Sequence, residues 1–387
     1  MTEPVRGFTQ AEFEARTADT QKWMHDIKLD AIVVTTEAEI RYHTGFHTQF
    51  FESPTRPWFL VIPAAGKPIA VIPTIGESGM RATWIDAVHT WPSPRPADDG
   101  ISLLQKTIKD LPSRFGRIGM PMGPESILRM PAADARTLAQ GLACEIVDCA
   151  GQLLQQRFVK SKAEIEKIRH ACQITSGAFE ALPEYAQMGD SELDITRKMR
   201  IDLLQRGADN TPFMVAGSGQ GGYDSIIMGP TRRVLEEGDV LIIDTGTTFD
   251  GYFCDFDRNF GFGHVADDTK RANAAVHAAL DAGFAAAHPG AKMKEVWAAM
   301  WKIMEDFGAL GNSIGRMGHG LGMLLTEWPS VHPEDERVLE AGVVMTLEPG
   351  MTFAPGRQLV HEENIVITED GAEYLTRRAP PDIPVIS

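Results

Sequence analysis

An apolar run, Val240-Leu241-Ile242-Ile243, ends on a carboxylate, Asp244. Phe249-Asp250-Gly251-Tyr252 then reads as a hairpin turn, and the returning chain carries a second carboxylate, Asp255, eleven residues after the first. In an antiparallel hairpin centred near residue 250, the two acids come nearly opposite each other. Opposed like charges destabilise a strand pair, and a carboxylate at the end of a buried strand needs a partner. A cation between them removes both costs. The bland alternative is a pair of solvated hairpin acids.

Three further residues extend the pattern. His319 sits in Gly318-His319-Gly320-Leu321-Gly322, where flanking glycines let the backbone come close and orient the ring. Glu348 ends an apolar strand just before Pro349-Gly350, and Glu363 opens the strand-like run Asn364-Ile365-Val366-Ile367-Thr368. Each signal is weak alone. Together, four carboxylates and one imidazole match two adjacent divalent cations, which can turn water into a nucleophile near neutral pH. Oxygen ligands with one imidazole suit Mn²⁺, Fe²⁺, Co²⁺ or Zn²⁺ better than Cu(I).

The 387 residues are enough for two domains. Up to about residue 157, helical and strand patterns alternate: a helix opened by Thr9 and Glu12, a β-branched run at 31–35, a turn at Tyr42-His43-Thr44-Gly45, a hairpin of apolar runs at 58–62 and 69–72, a helix over 103–111, and strands at 117–120 and 144–147. That order predicts an α/β domain over 1–157. From 158 to 387 the pattern changes. Ser161 and Glu164 cap a helix to about residue 182, a second helix covers 191–206, and helices over 272–287 and 293–307 separate two groups of strands. This predicts an α+β domain with a curved antiparallel sheet. No internal repeat is visible.

A formal net charge of -16 disfavours nucleic acid and anionic membrane as partners. Cys144, Cys149, Cys172 and Cys254 form no Cys-x-x-Cys pair and read as buried free thiols. The N-terminus lacks a basic region followed by an apolar stretch, and no apolar run approaches the ~20 residues of a membrane span. The expected location is the cytoplasm.

On these segments the chain resembles the pita-bread metallohydrolases: prolidase, aminopeptidase P, methionine aminopeptidase and creatinase. The first part, with Tyr42-His43-Thr44-Gly45-Phe46, resembles the creatinase-type N-terminal domain, so the likeness covers essentially the whole chain. The resemblance implies one metal held mainly by Asp244 and Asp255, and another by Asp255, His319, Glu348 and Glu363. Asp255 and Glu363 would bridge, and Glu348 would shuttle a proton as water attacks an amide-like carbon. It also implies a small-molecule substrate, and a homodimer in which the N-terminal domain of one subunit closes the other's site.

The chain departs from the peptidases at positions that hold the substrate carbonyl and relay protons. They keep a histidine seven residues after the ligand histidine, where Thr326 stands here, and another about seventeen before the first Asp, where Ile227 or Met228 stands. They often keep an Arg two residues before the last Glu, here His361. Asp257 replaces the usual Thr. It pairs with Arg258 or Arg232, or adds a carboxylate near the metals, sharing a face with Asp255. Glu327 is a solvated loop acid or a substitute general acid/base. The expected activity is cleavage of a C–N bond in a small amino-acid-derived substrate, Xaa-Pro dipeptides by default. The alternatives are a dedicated metabolite enzyme (creatinase-like, ectoine hydrolase-like or dimethylsulfoniopropionate lyase-like) and a non-catalytic binding protein.

Overall fold

Strand alternation sorts the apolar residues of the first part into two cores. Six strands lie in the order Ala87–Trp91, Ile69–Pro73, Phe59–Pro63, Ala31–Val34, Arg117–Met120 and Glu145–Asp148. Ile32, Val34, Leu60 and Ile62 face one way and pack with Met24, Ile40 and Leu153. Ala31, Val33, Phe59 and Val61 face the other way, onto Leu104, Ile108 and Leu138. Both faces are covered by helices, so the central strands read as unbroken apolar runs. The computed structural model describes residues 2–311 and 315–387, and the chain divides into this unit, Val5–Gln156, and a second formed by Arg157–Ser387 with the first few residues.

The turn expected at Tyr42-His43-Thr44-Gly45 is the end of a short helix, Glu37–Thr44. Thr36 and Glu39 form its capping box, and Gly45 closes it at φ 78°. Eight residues are too few for helical periodicity to stand out. The strand Ala87–Trp91 and the helix Ala132–Gln140 were hidden for the same reason.

In the second unit one plan occurs twice. Helices Lys162–Tyr185 and Glu192–Gln205 precede a sheet built on Asn210–Gln220, Asp239–Phe249 and Phe256–Phe262. Helices Asp267–Ala286 and Met293–Asp306 precede a sheet of Glu327–Ser330, His319–Gly320, Val344–Leu347, Glu363–Ile367 and Ala372–Tyr374, in that spatial order. The repetition is one of architecture, since burial pattern constrains a helix pair on a sheet far more than residue identity does. Among the described residues every ladder here is antiparallel except the short edge pairing of Val385–Ile386 with Phe256–Phe262.

Two side chains tie the sheets together. Asn364 accepts from the Asp255 amide at 3.1 Å and donates to the Asp255 carbonyl. Arg258 donates to the Glu362 carbonyl at 2.9 Å and to its own neighbour's, Asp257, at 2.6 Å. The edges that carry the acidic residues are therefore joined by main-chain-directed bonds from buried side chains.

Candidate metal centre

Register decides which acids meet. Asp239–Phe249 pairs with Phe256–Phe262 so that Asp244 stands opposite Asp257. Asp255, two residues before Asp257, shares its face and is diagonal to Asp244. The expected opposition of Asp244 and Asp255 is corrected by this shift of two. Burial, and then the charges of Asp255 and Glu348, push Asp244 well above the usual carboxylate range. Burial and Glu348 do the same to Asp255.

The second sheet supplies the rest. Leu347 pairs with Glu363 and Thr346 with Asn364. Continuing that register past the strand ends sets Glu348 against Glu362, on the face opposite to Leu347 and Glu363. Asp255, His319 and Glu362 each offer an atom within 4.8 Å of the others, and all three residues are buried. Burial, followed by Asp255 and Glu348, raises Glu362 well above its ordinary value.

Glu363 lies elsewhere. It accepts from Arg258 at 2.9 Å, from the Ala379 amide at 3.0 Å and from the Thr376 hydroxyl. Burial works to raise its pKa, but Arg258 and His361 outweigh that and hold it down to about 2. The expectation that placed Glu363 in the cluster is therefore corrected to Glu362. In a strand, a one-residue slip moves a side chain to the other face, and two consecutive glutamates leave the slip invisible in sequence. Counted from Glu362, the position two residues earlier is the buried Val360, not His361.

His319 is oriented from both ends. Its amide donates to Thr346 Oγ1 at 3.1 Å, and its Nδ1 is 2.9 Å from the Gly320 carbonyl. A carbonyl only accepts, so Nδ1 carries the proton and Nε2 presents a lone pair. That Nε2 is 3.3 Å from Asp255 Oδ2. Burial, then Arg316, lowers its pKa, which favours the neutral ring. The flanking glycines are sterically required: a Cβ at Gly318 would lie 2.2 Å from the Thr346 carbonyl, and one at Gly320 2.0 Å from that of Trp328.

Asp257 joins the cluster. Its Oδ1 has no hydrogen-bond partner, and Arg258 reaches its carbonyl, not its carboxylate. Burial and then Asp244 raise it well above the carboxylate range. Among the described residues it has no ion pair with Arg258 or Arg232. The signal available in sequence was the shared face with Asp255.

Two expected relay groups are placed differently. Glu327 is buried and ion-paired with Lys160 at 3.1 Å and Arg157 at 3.3 Å. Burial opposes ionisation, but those cations prevail and lower its pKa, so it is neither a solvated acid nor poised to exchange protons. His361 lies on the Glu363 face, its ring stacked on His277 with centroids 4.1 Å apart. Thr326 is exposed, as are Ile227 and Met228, at 81% and 61%.

The cluster thus sets four carboxylates and a neutral imidazole lone pair together, with Glu348 alongside. Asp244 Oδ1, Asp255 Oδ1, Asp257 Oδ1 and Glu362 Oε1 are buried and lack hydrogen-bond partners. Acceptors facing acceptors need protons or cations between them. The donor set of oxygens and one imidazole fits divalent first-row metals.

Comparison with known proteins agrees with this chemistry. Residues 166–369 match metallopeptidase family M24, and residues 16–159 match the creatinase/prolidase N-terminal domain. The chain is 29% identical over 380 residues to the probable dipeptidase PepE of Mycobacterium tuberculosis, covering 95% of each. It is 30% identical over 223 residues to the Xaa-Pro dipeptidase of Pyrococcus furiosus, covering 57% of this chain and 64% of that one. The crystal structure of dipeptidase PepE from Mycobacterium ulcerans superimposes with a TM-score of 0.85 at 26% identity, over 98% of this chain and 99% of that one.

Proposed function

The chain belongs to metallopeptidase family M24 and is a metal-dependent hydrolase of that family, and on that premise we propose that it holds two divalent ions and cleaves the peptide bond of small dipeptides, Xaa-Pro among them. The observation that carries the reading is the convergence of Asp255, His319 and Glu362 within 4.8 Å, with Asp244 and Glu348 beside them. Glu362 takes the place first expected of Glu363.

When bound, the ions supply Lewis-acid polarisation and a lowered water pKa. The chain supplies the rest. Asp244, Asp255, His319, Glu348 and Glu362 would hold the ions, and Asp257 is a further carboxylate opposite Asp244. Glu348 is only partly buried and its pKa is raised by burial, against the pull of Arg316. It is therefore the group suited to take a proton from water and return it to a leaving amine. Glu327, paired with Lys160 and Arg157, anchors the 322–327 segment. The PepE likeness supports a dipeptide substrate. By resemblance to the family, the assembly is a homodimer. Four free cysteines agree with a reducing, cytoplasmic setting, and no helix among the described residues is long and apolar enough to cross a membrane.

The test is release of amino acids from Xaa-Pro and other dipeptides by purified protein supplied with Mn²⁺, Co²⁺ or Zn²⁺. Release abolished by chelator is expected; no release with any metal overturns the proposal. A second reading, a hydrolase of a small polar metabolite, is favoured by Thr326 and by the exposure of Ile227 and Met228, where peptidases keep histidines. Turnover of creatine or ectoine without dipeptide cleavage would establish it.

A further inference from the structure

A cavity of about 320 Å³ opens beside the strand Phe256–Phe262 and the residues that lead into Glu363–Ile367. Its walls include Arg258, Arg378, His277, His361, Phe179 and Ile383. Its lining includes Arg258 and His361 but neither Asp257 nor Glu362, which separates it from the metal centre. Its volume lies at the lower end of the ~300–1,000 Å³ typical of small-molecule sites.

Most polar groups here are already spoken for. Arg258 is tied to Glu363 at 2.9 Å and to three main-chain carbonyls. Arg377 makes a two-pronged pair with Glu180, at 2.6 and 3.0 Å. The remaining acid in the wall, Asp382, is exposed. Three groups keep unused capacity. Arg378 bonds only to Asp281, through Nη2 at 2.5 Å, leaving its Nε and Nη1 without a hydrogen-bond partner among the described residues. The His277 side chain makes no hydrogen bond among the described residues. The buried His361 Nε2 has only a long, 3.4 Å contact with Glu363 Oε1. Each imidazole has an N–H in either tautomer. The unused N–H groups of Arg378, whose charge is shared with Asp281, and two imidazole donors match one carboxylate; Phe179, Phe260 and Ile383 match an apolar body.

We propose that this cavity is a binding site for a small monocarboxylate with an apolar body, its carboxylate held by Arg378 and the His277–His361 pair. None of Asp244, Asp255, Asp257, His319, Glu348 or Glu362 lines it, so we read it as an effector site. It is independent of the identity of the hydrolysed substrate.

Calorimetric titration of the full-length protein with benzoate tests this, with acetate and benzyl alcohol as the charge-only and apolar-only probes. One benzoate should bind per chain, at least tenfold more tightly than either control. The same affinity is expected in the metal-centre variant Asp255→Asn. Arg378→Ala should weaken benzoate by roughly tenfold or more, as loss of a charge-assisted bond does, with Arg378→Lys intermediate and His277→Ala also weakened. No binding to wild type, undiminished binding to both Arg378→Ala and His277→Ala, or loss of binding in Asp255→Asn would each overturn the proposal.

Discussion

At Glu362 and Glu363 one peptide bond separates a carboxylate pushed well above its ordinary pKa from one held at about 2. The former faces Asp255 and Glu348, and the latter faces Arg258. Substitutions should separate them cleanly. Glu362→Gln is expected to abolish tight divalent-metal binding and to lower kcat/KM by roughly 100-fold or more, while the chelated protein becomes more stable because one crowded acid is gone. Metal analysis and urea unfolding check both. Glu363→Gln should keep metal binding and lose stability. Its folded pKa lies below the unfolded value of 4.5, so its contribution is fully present above that value and is lost as pH falls through about 2. The deficit of the variant should be on the order of 3 kcal/mol near neutral pH and shrink towards pH 3. A deficit that does not vary with pH would refute the ion-pair account. The raised acids act with the opposite sign: in chelator, they should make the wild type less stable as pH rises through their elevated pKa values.

At the scale of elements, the strands were legible where burial wrote long apolar runs, as in Val240 to Ile243 leading to Asp244, and the long helices where capping pairs such as Ser161 and Glu164 marked their starts. Short elements were not. The helix Glu37–Thr44 and the strand Ala87–Trp91 are fixed by what they pack against, and their local pattern is too brief to declare them. Pairing register was equally hidden, and it sets Asp244 against Asp257 and Glu348 against Glu362. The two-residue strand His319–Gly320 depends on close backbone approach. Gly320→Ala would press a methyl group against the Trp328 carbonyl and should cost at least about 2 kcal/mol, with loss of metal binding, both measurable by denaturant titration and metal analysis. Removing the bridge in Asn364→Leu should loosen Asp255 and raise the metal dissociation constant about tenfold or more.

For the whole molecule, metal binding and folding of residues 157–387 are linked. A cluster of acceptors without donors is a liability in the folded state that cations remove, so any ion bound only by the folded chain adds RT ln(1 + [L]/Kd) to stability. At 100 Kd that is about 2.7 kcal/mol, and at roughly 2–4 °C per kcal/mol thermal unfolding should shift upward by several degrees with Mn²⁺ in wild type and by none in Glu362→Gln. Residues 5–156, with their own two cores, bear none of the clustered acids.

The order of elements, the change of pattern near residue 157, the family resemblance and the presence of carboxylates and an imidazole at strand ends all followed from the chain alone, because burial periodicity and turn chemistry are local properties. Which of two adjacent glutamates meets Asp255, that Asp257 stands opposite Asp244, that Glu327 is neutralised by Lys160 and Arg157, and that His361 faces a separate cavity were settled only in three dimensions. Each depends on strand register or on a partner far away in sequence, and a shift of one residue reverses the face on which a side chain lies.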